Sequence, residues 1–287
     1  MHSVHINLKI SKALRPEGVD TIRGSADFNA NKSQTGEQGD GQFEIDLYPA
    51  NHEMGPTPAA LVLPGGGFWL HTELDGEGYA KWLNSLGIAA AVLRYKLRPD
   101  PFPTALLQAR LAFEALQSGS LISGTDASRT GVIGSSAGGL LAGLLATRST
   151  MFVEQDAGPI PRPAFHVQSY GVADLSLIPD EAVRELLGEH INWAAGLSPA
   201  KHVQEGMPPS FIWATAQDAP GLPNALEWAR ALSKRGNSVE LHVFPEGDHG
   251  AGLADGVTHG QSRGVSIPHT AEWARACERW LAWIGMI

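Results

Sequence analysis

The apolar residues of this chain fall into two alternating patterns, short continuous runs and stretches in which they recur every three or four positions. Continuous runs are typical of strands buried on both faces, and the wider spacing is typical of amphipathic helices. The runs predict strands at residues 59–63, 88–93, 131–133 and 210–215, and residues 164–169 and 239–244 also have strand-like sequences. The spaced patterns predict helices at residues 79–86, 103–116, 140–147, 181–187, 222–233 and 271–284.

Strands that alternate with helices predict an α/β fold, with a mostly parallel central sheet and helices on both faces. We expect residues 1–287 to form a single domain. Residues 43–48 alternate apolar and polar side chains, which predicts an antiparallel strand, and residues 1–10 favour an edge strand. Residues 24–42 are rich in Gly, Asn, Ser and Gln and predict a surface loop. Residues 174–209 show no strand pattern, and we interpret them as an insertion over the sheet edge.

Composition narrows the classes of function. The net charge of −9 disfavours binding to nucleic acid or to anionic membranes, and no stretch approaches the roughly 18 apolar residues of a membrane span. The single cysteine, Cys277, excludes an internal disulfide, and its helical spacing with Trp273 and Trp280 predicts a core residue. The N-terminus lacks the apolar segment of a signal peptide, so we expect a cytoplasmic protein unless a signal had been removed.

The candidate chemistry centres on a Gly-x-Ser-x-Gly motif, Gly134 to Gly138, between a predicted strand and a predicted helix. In such a strand–turn–helix, the middle serine is lifted clear of the sheet, and the flanking glycines let strand and helix pass closely. Ser136 is therefore the candidate nucleophile. The alternative is a glycine-rich turn that serves packing alone.

Two further reactive residues follow strand ends, where the active sites of parallel sheets lie. Asp218 follows the strand at 210–215 and His249 follows the strand at 239–244, so the chain order is Ser, Asp, His. A histidine is needed to take the serine proton, and a carboxylate to orient and stabilise the imidazole. The alternatives for these roles are Asp218 as a helix cap, Asp174 or Asp248 as the acid, and His71 or His242 as the base.

A second glycine run, Gly65-Gly66-Gly67, follows the strand at 59–63. The backbone N–H groups of Gly66 and Gly67, together with that of Ala137, are candidates for an oxyanion hole, and a tight turn without a catalytic role is the alternative. The spacing of a dinucleotide-binding loop, a Walker A motif and a His-Glu-x-x-His motif are all missing from the sequence. We therefore expect no cofactor and no metal.

Four stretches resemble α/β-hydrolase-fold serine esterases of the acetyl-xylan-esterase and feruloyl-esterase-like group, which is related to hormone-sensitive-lipase-like esterases. They are LPGGGF at residues 63–68, WLNSLGIAA at residues 82–90 with LRYKL at residues 93–97, GSSAGG at residues 134–139, and VELHVFPEGDHG at residues 239–250. The resemblance implies that Ser136 is the nucleophile, Asp218 the acid and His249 the base, with an oxyanion hole from the glycine loop and Ala137. Pro64 replaces the histidine that opens the glycine motif in hormone-sensitive-lipase-like members, which favours the carbohydrate-esterase side. Residues 174–209 and 256–268 match nothing in the group.

These observations lead to the expectation of a serine carboxylesterase that removes short acyl groups, acetyl above all, from a sugar or another small alcohol. The acetyl preference comes from the resemblance. Phe68 and Trp69, beside the glycine loop, are candidates for substrate binding. An amide-cleaving hydrolase on the same fold is the alternative, and a non-catalytic hydrolase-fold binding protein is a further one.

Overall fold

The central sheet places every candidate site residue after a strand. The computed structural model describes residues 6–9, 20–26, 42–50, 55–99, 101–152 and 160–287. Within these residues the sheet has nine strands in the order β1-β2-β3-β5-β4-β6-β7-β8-β9. The strands are β1 (Ile6–Lys9), β2 (Asp20–Ala26), β3 (Gln42–Tyr48), β4 (Thr57–Leu63), β5 (Ala89–Arg94), β6 (Thr125–Ser135), β7 (His166–Ser169), β8 (Ser210–Thr215) and β9 (Val239–Phe244).

The six strands from β5 to β9 along this order pair in parallel, and β1, β2 and β3 add to the β5 side in antiparallel pairs. The mostly parallel sheet and the antiparallel strand at residues 43–48 are thus confirmed. The helices are α1 (Glu77–Ser85), α2 (Thr104–Gln117), α3 (Ser136–Ala146), α4 (Asp180–Leu187), α5 (Gly221–Lys234) and α6 (Pro268–Trp283). Short 3-10 turns occupy Leu175–Leu177, Gly188–Trp193 and Pro199–His202.

Helices cover both faces of the sheet, as predicted. Neighbouring strand residues point to opposite sides of the sheet, so each face has its own core cluster. In β4, Leu61 belongs to the core cluster beneath α2 and α3, whereas Val62 belongs to the cluster beneath α1 and α6. Helix α5 packs on the same face of the sheet as α2 and α3. Cys277 of α6 is fully buried, which confirms it as a core residue, and burial raises the pKa of its thiol.

The N-terminal region differs in part from the sequence prediction. Strand β1 lies at the edge of the sheet, as expected for residues 1–10, although the rest of that segment lies outside the described residues. Of the predicted loop at 24–42, residues 24–26 instead end β2 and Gln42 begins β3, while residues 27–41 lie outside the described residues. Backbone pairing to β3 forms β2, although its sequence, DTIRGSA, holds one large apolar residue.

The segment at 174–209, predicted as an insertion, contains α4 and three 3-10 turns but no strand, and every one of its residues is described. Leu186 and Leu187 of α4 belong to the same core cluster as Phe102 and α2. An ion pair of 3.0 Å joins Glu185 of α4 to Arg98, in the loop after β5. The segment therefore packs on the α2 face, close to the loop that follows β5. That the whole chain forms one domain stays a prediction.

Candidate active site

Ser136 stands at the sharp turn between β6 and α3. Its φ of +50° lies in the left-handed region, which a residue with a side chain adopts only under strain. The turn needs glycine on both sides, because a Cβ at Gly134 would lie 2.4 Å from the Gly138 carbonyl oxygen, and one at Gly138 would lie 2.0 Å from the Leu63 carbonyl oxygen. Close packing accounts for Gly134 and Gly138. It does not account for the positive φ of Ser136.

Ser136, His249 and Asp218 form one hydrogen-bonded chain. The Oγ of Ser136 lies 2.7 Å from Nε2 of His249, and Nδ1 of His249 lies 2.9 and 2.8 Å from the two carboxylate oxygens of Asp218. The Asp218 side chain is 1% exposed and the His249 side chain 34% exposed. Asp218 also accepts a 2.7 Å bond from the N–H of Gly221 at the start of α5, so it serves as a cap as well as the imidazole partner.

The structure places the other candidate acids and bases in different surroundings. Asp174 accepts from the N–H of Ser176 and pairs with Lys201 at 3.0 Å, and His242 pairs with Glu240 at 2.8 Å. Asp248 is exposed.

The ring of His71 packs edge-on against Tyr95 with centroids 4.5 Å apart. Burial, together with the charge of Arg94, lowers the pKa of His71 to about 4. Its environment is that of a neutral core histidine.

The glycine loop after β4 lies directly beside Ser136. A Cβ added to Gly65 would be 3.1 Å from the Cβ of Ser136. Gly66 and Gly67 have φ values of +128° and +63°, and a Cβ at Gly66 would lie 2.0 Å from the Leu70 carbonyl oxygen. Backbone without side chains can approach a reacting group closely, so these glycines leave room beside the serine for a bound group.

Comparison with known proteins shows the family of this chain. The BD-FAE family matches residues 45–222, which include the glycine loop, the serine turn and Asp218. The chain belongs to the BD-FAE family. Among solved structures it is similar to an acetyl ester-xyloside bifunctional hydrolase from Caldicellulosiruptor lactoaceticus, at 33% identity and a TM-score of 0.75, over 85% of this chain and 89% of that one.

Other relatives of this BD-FAE chain are more distant. An acetylxylan esterase from Xylanibacter ruminicola is 26% identical over 208 residues, which are 69% of this chain, and the match spans 42% of that protein's own length. A carboxylesterase from Lactobacillus plantarum WCFS1 has 21% identity and a TM-score of 0.76, covering 94% of this chain and 98% of that one, and it supports the fold alone. The fold is the α/β-hydrolase fold.

Two buried side chains that sequence reasoning missed support the loops of the site. Asp75 is 1% exposed and accepts hydrogen bonds from the N–H of Gly65, at 3.1 Å, and from the hydroxyl of Tyr170, at 2.5 Å. The ring of Tyr170 lies edge-on against His249, with centroids 5.2 Å apart. Tyr170 follows the end of β7, and its place at the carboxyl edge of the sheet is the signal that could have found it.

The two aromatic residues predicted to bind substrate have different environments. Phe68 is 2% exposed and packs against Tyr95 and Phe102, with centroid distances of 5.4 Å to each. Trp69 is 65% exposed, and the guanidinium carbon of Arg98 lies 4.5 Å from its ring centroid. Phe68 therefore belongs to the core, and Trp69 is the one that offers a face to solvent.

Metal ligands and membrane-spanning helices are the remaining features of the described ranges that bear on function. Among those residues, no group of three or more His, Cys, Asp or Glu side chains could hold a metal ion. No helix in the described part of the chain is both long and apolar enough to cross a bilayer.

Proposed function

We propose that the protein is a serine carboxylesterase that removes short acyl groups, acetyl above all, from a carbohydrate or another small alcohol. The observation that carries the proposal is the chain of hydrogen bonds from Ser136 through His249 to Asp218, built on a serine with positive φ. The names of two relatives, an acetylxylan esterase and an acetyl ester-xyloside bifunctional hydrolase, support the substrate class.

In the proposed acylation step, the Oγ of Ser136 attacks the carbonyl carbon of the ester while Nε2 of His249 takes its proton. At 2.7 Å, these two atoms are already within the distance that proton transfer needs. Asp218 keeps the remaining ring proton on Nδ1 and stabilises the imidazolium. The tetrahedral intermediate then collapses, the ester C–O bond breaks, and His249 returns the proton to the departing alcohol.

The negative charge that develops on the carbonyl oxygen needs donors fixed in advance. We assign this role to the N–H groups of Gly66 and Gly67 in the glycine loop and of Ala137, the second residue of α3. The N-terminus of α3 adds positive potential at the same place.

Deacylation repeats the same chemistry with water. His249 takes a proton from a water molecule, the resulting nucleophile attacks the acyl carbon on Ser136, and the carboxylic acid leaves as the serine recovers its proton. Each proton that moves passes through Nε2 of His249, so a single imidazole serves both steps.

The test is hydrolysis of p-nitrophenyl acetate, butyrate and octanoate by the wild type, Ser136→Ala and Ser135→Ala. Ser135 is the matched control, because its side chain is fully buried and precedes the turn. We expect activity to fall with acyl length, to vanish in Ser136→Ala and to persist in Ser135→Ala. Activity that survives Ser136→Ala would show that the nucleophile is a different residue.

The alternatives are decided by two further assays. Hydrolysis of aryl formamides in preference to acetyl esters would indicate an amide-cleaving enzyme with the same triad. Lack of labelling at Ser136 by a serine-directed phosphonate would indicate a binding protein. Release of acetate from acetylated xylo-oligosaccharides, compared with release from ethyl acetate, tests whether the alcohol is a sugar.

A further inference from the structure

The loops that carry the catalytic groups share one buried carboxylate. The Oδ2 atom of Asp75 accepts the N–H of Gly65, at 3.1 Å, and the hydroxyl of Thr72, at 2.7 Å, while its Oδ1 accepts the hydroxyl of Tyr170 at 2.5 Å. Gly65 belongs to the glycine loop, immediately before the proposed oxyanion donors. One arm of Asp75 therefore holds that loop.

The other arm reaches the loop of His249. The hydroxyl oxygen of Tyr170, which donates to Asp75, accepts the N–H of Gly252 at 3.1 Å. Gly252 stands three residues after His249, and the Tyr170 ring packs against the imidazole itself. The chain of contacts thus runs from Gly65 through Asp75 and Tyr170 to the histidine loop.

We propose that Asp75 is a positioning residue that fixes the glycine loop and the His249 loop relative to each other, through Gly65 on one side and Tyr170 on the other. The kinetic effects expected from this proposal rest on the esterase function proposed above. The hydrogen bonds that Asp75 accepts come from Gly65, Thr72 and Tyr170 and not from Ser136, so its effect is on the geometry in which the oxyanion donors and the imidazole meet.

The chemistry of the position favours a carboxylate over an amide. Three donors converge on Asp75, and a carboxylate offers acceptor sites only, whereas an amide side chain would turn its own N–H groups toward one of those donors. Burial raises the pKa of the Asp75 carboxyl, and the three hydrogen bonds that it accepts oppose that rise. Burial also raises the pKa of the Tyr170 phenol well above its ordinary value, so the phenol remains a donor at neutral pH.

The experiment compares Asp75→Asn, Tyr170→Phe and the double variant with the wild type on p-nitrophenyl acetate. Asp46→Asn is the matched control, since Asp46 is an equally buried carboxylate that pairs with Arg94 across strands β3 and β5. Thermal unfolding of all variants separates loss of stability from loss of catalysis.

We expect Asp75→Asn to lower kcat by about 10- to 100-fold with KM changed by less than about twofold, because misplaced donors and imidazole affect the transition state more than binding. Tyr170→Phe should lower kcat by about 10-fold, and the double variant should be no worse than Asp75→Asn alone, since both side chains act in one chain of contacts. Asp46→Asn should lose stability and keep its kcat.

Three results would overturn the proposal: an unchanged kcat in Asp75→Asn, a rise in KM that accounts for the whole loss, or a double variant whose losses multiply. If Asp75→Asn does not fold, Tyr170→Phe carries the test, because it keeps the ring contacts and removes both hydrogen bonds. An unchanged kcat in Tyr170→Phe would then overturn the proposal.

A readout without substrate keeps this proposal separate from the esterase function. Gly252 donates to Tyr170 and not to Asp75, so faster amide hydrogen exchange at Gly252 in Asp75→Asn would show that Asp75 holds the histidine loop from a distance. Exchange at Gly252 as slow as in the wild type would contradict the proposal. A wild type inert on every ester would end the esterase proposal and leave this measurement intact.

Discussion

Asp218→Asn tests the catalytic geometry most directly, because the surroundings of Asp218 decide which way an amide there would turn. The N–H of Gly221 donates to one carboxylate oxygen at 2.7 Å, so the amide oxygen of an asparagine would stay on that side. Its NH₂ group would then face Nδ1 of His249, which lies 2.8 Å from the other carboxylate oxygen. Nδ1 would become an acceptor, and the ring proton would move to Nε2.

An imidazole that carries its proton on Nε2 cannot take the proton of Ser136, 2.7 Å away. The wrong tautomer costs about 10⁴-fold in kcat in a serine triad, which corresponds to about 5 kcal/mol of transition-state stabilisation. We expect a loss of that size for Asp218→Asn on p-nitrophenyl acetate, with KM nearly unchanged.

The matched control is Asp174→Asn, since Asp174 is the other buried acid that follows a strand of the parallel sheet. It caps Ser176 and pairs with Lys201, so its substitution should lower stability and change kcat by less than about threefold. A variant Asp218→Asn that keeps a tenth or more of the wild-type kcat would refute the tautomer argument. A large loss in Asp174→Asn, with Asp218→Asn active, would move the acid role to Asp174.

Three other substitutions test separate parts of the structure. Gly138→Ala should lower the free energy of unfolding by about 3 kcal/mol in urea titrations, because its Cβ would lie 2.0 Å from the Leu63 carbonyl oxygen. Burial lowers the pKa of His166 to about 3, below the ordinary value of 6.5. Between these two pH values the histidine is protonated in the unfolded chain and neutral in the folded one, so the free energy of unfolding should fall as pH drops from about 6.5 toward 3. His166→Asn should flatten that dependence in urea midpoints measured at pH 7, 5 and 4. Trp69→Ala should raise KM for acetylated xylo-oligosaccharides about fivefold, equivalent to about 1 kcal/mol of stacking between the indole and a sugar ring. It should change the rate of p-nitrophenyl acetate hydrolysis by less than about twofold. Equal effects on both substrates would show that Trp69 does not stack on the sugar.

The sequence predicted the parts of the fold that repeat a pattern. Strands β8 and β9 have the predicted bounds: β8 has an apolar run, Phe211 to Ala214, that suits a strand buried on both faces, and β9 is rich in β-branched and aromatic residues that favour a strand. The candidate triad could be predicted because order and position agree: Ser136 directly follows β6, Asp218 stands three residues after β8, and His249 stands five residues after β9. Helix α3 begins at Ser136 and not at residue 140, since its first turn is made of small residues that carry no apolar periodicity.

The supports of the site could not be predicted, because their partners are distant in the sequence. Asp75 and Tyr170 are 95 residues apart, so although Tyr170 stands at the carboxyl edge of the sheet, nothing in the local pattern indicates the buried acid that it contacts. A buried carboxylate is recognised only once the donors around it are known. The same holds for β2, whose pairing with β3 joins residues about 20 positions apart in the sequence.

Sheet order explains why a tyrosine stands beneath the imidazole. The oxyanion loop follows β4 and Ser136 follows β6, and these strands are neighbours in register, Leu63 beside Gly134. His249 follows β9, three strands from β6, so it must reach back about 14 Å at roughly 4.8 Å per strand. It stands five residues beyond Phe244, a length that spans about 17 Å when extended, so the loop has little slack. Tyr170 leaves β7, between the two, and its ring and hydroxyl meet the imidazole and Gly252. A loop stretched across the sheet is thereby held from the strand that it crosses, and Asp75 joins that strand's tyrosine to the loop that would bind the oxyanion.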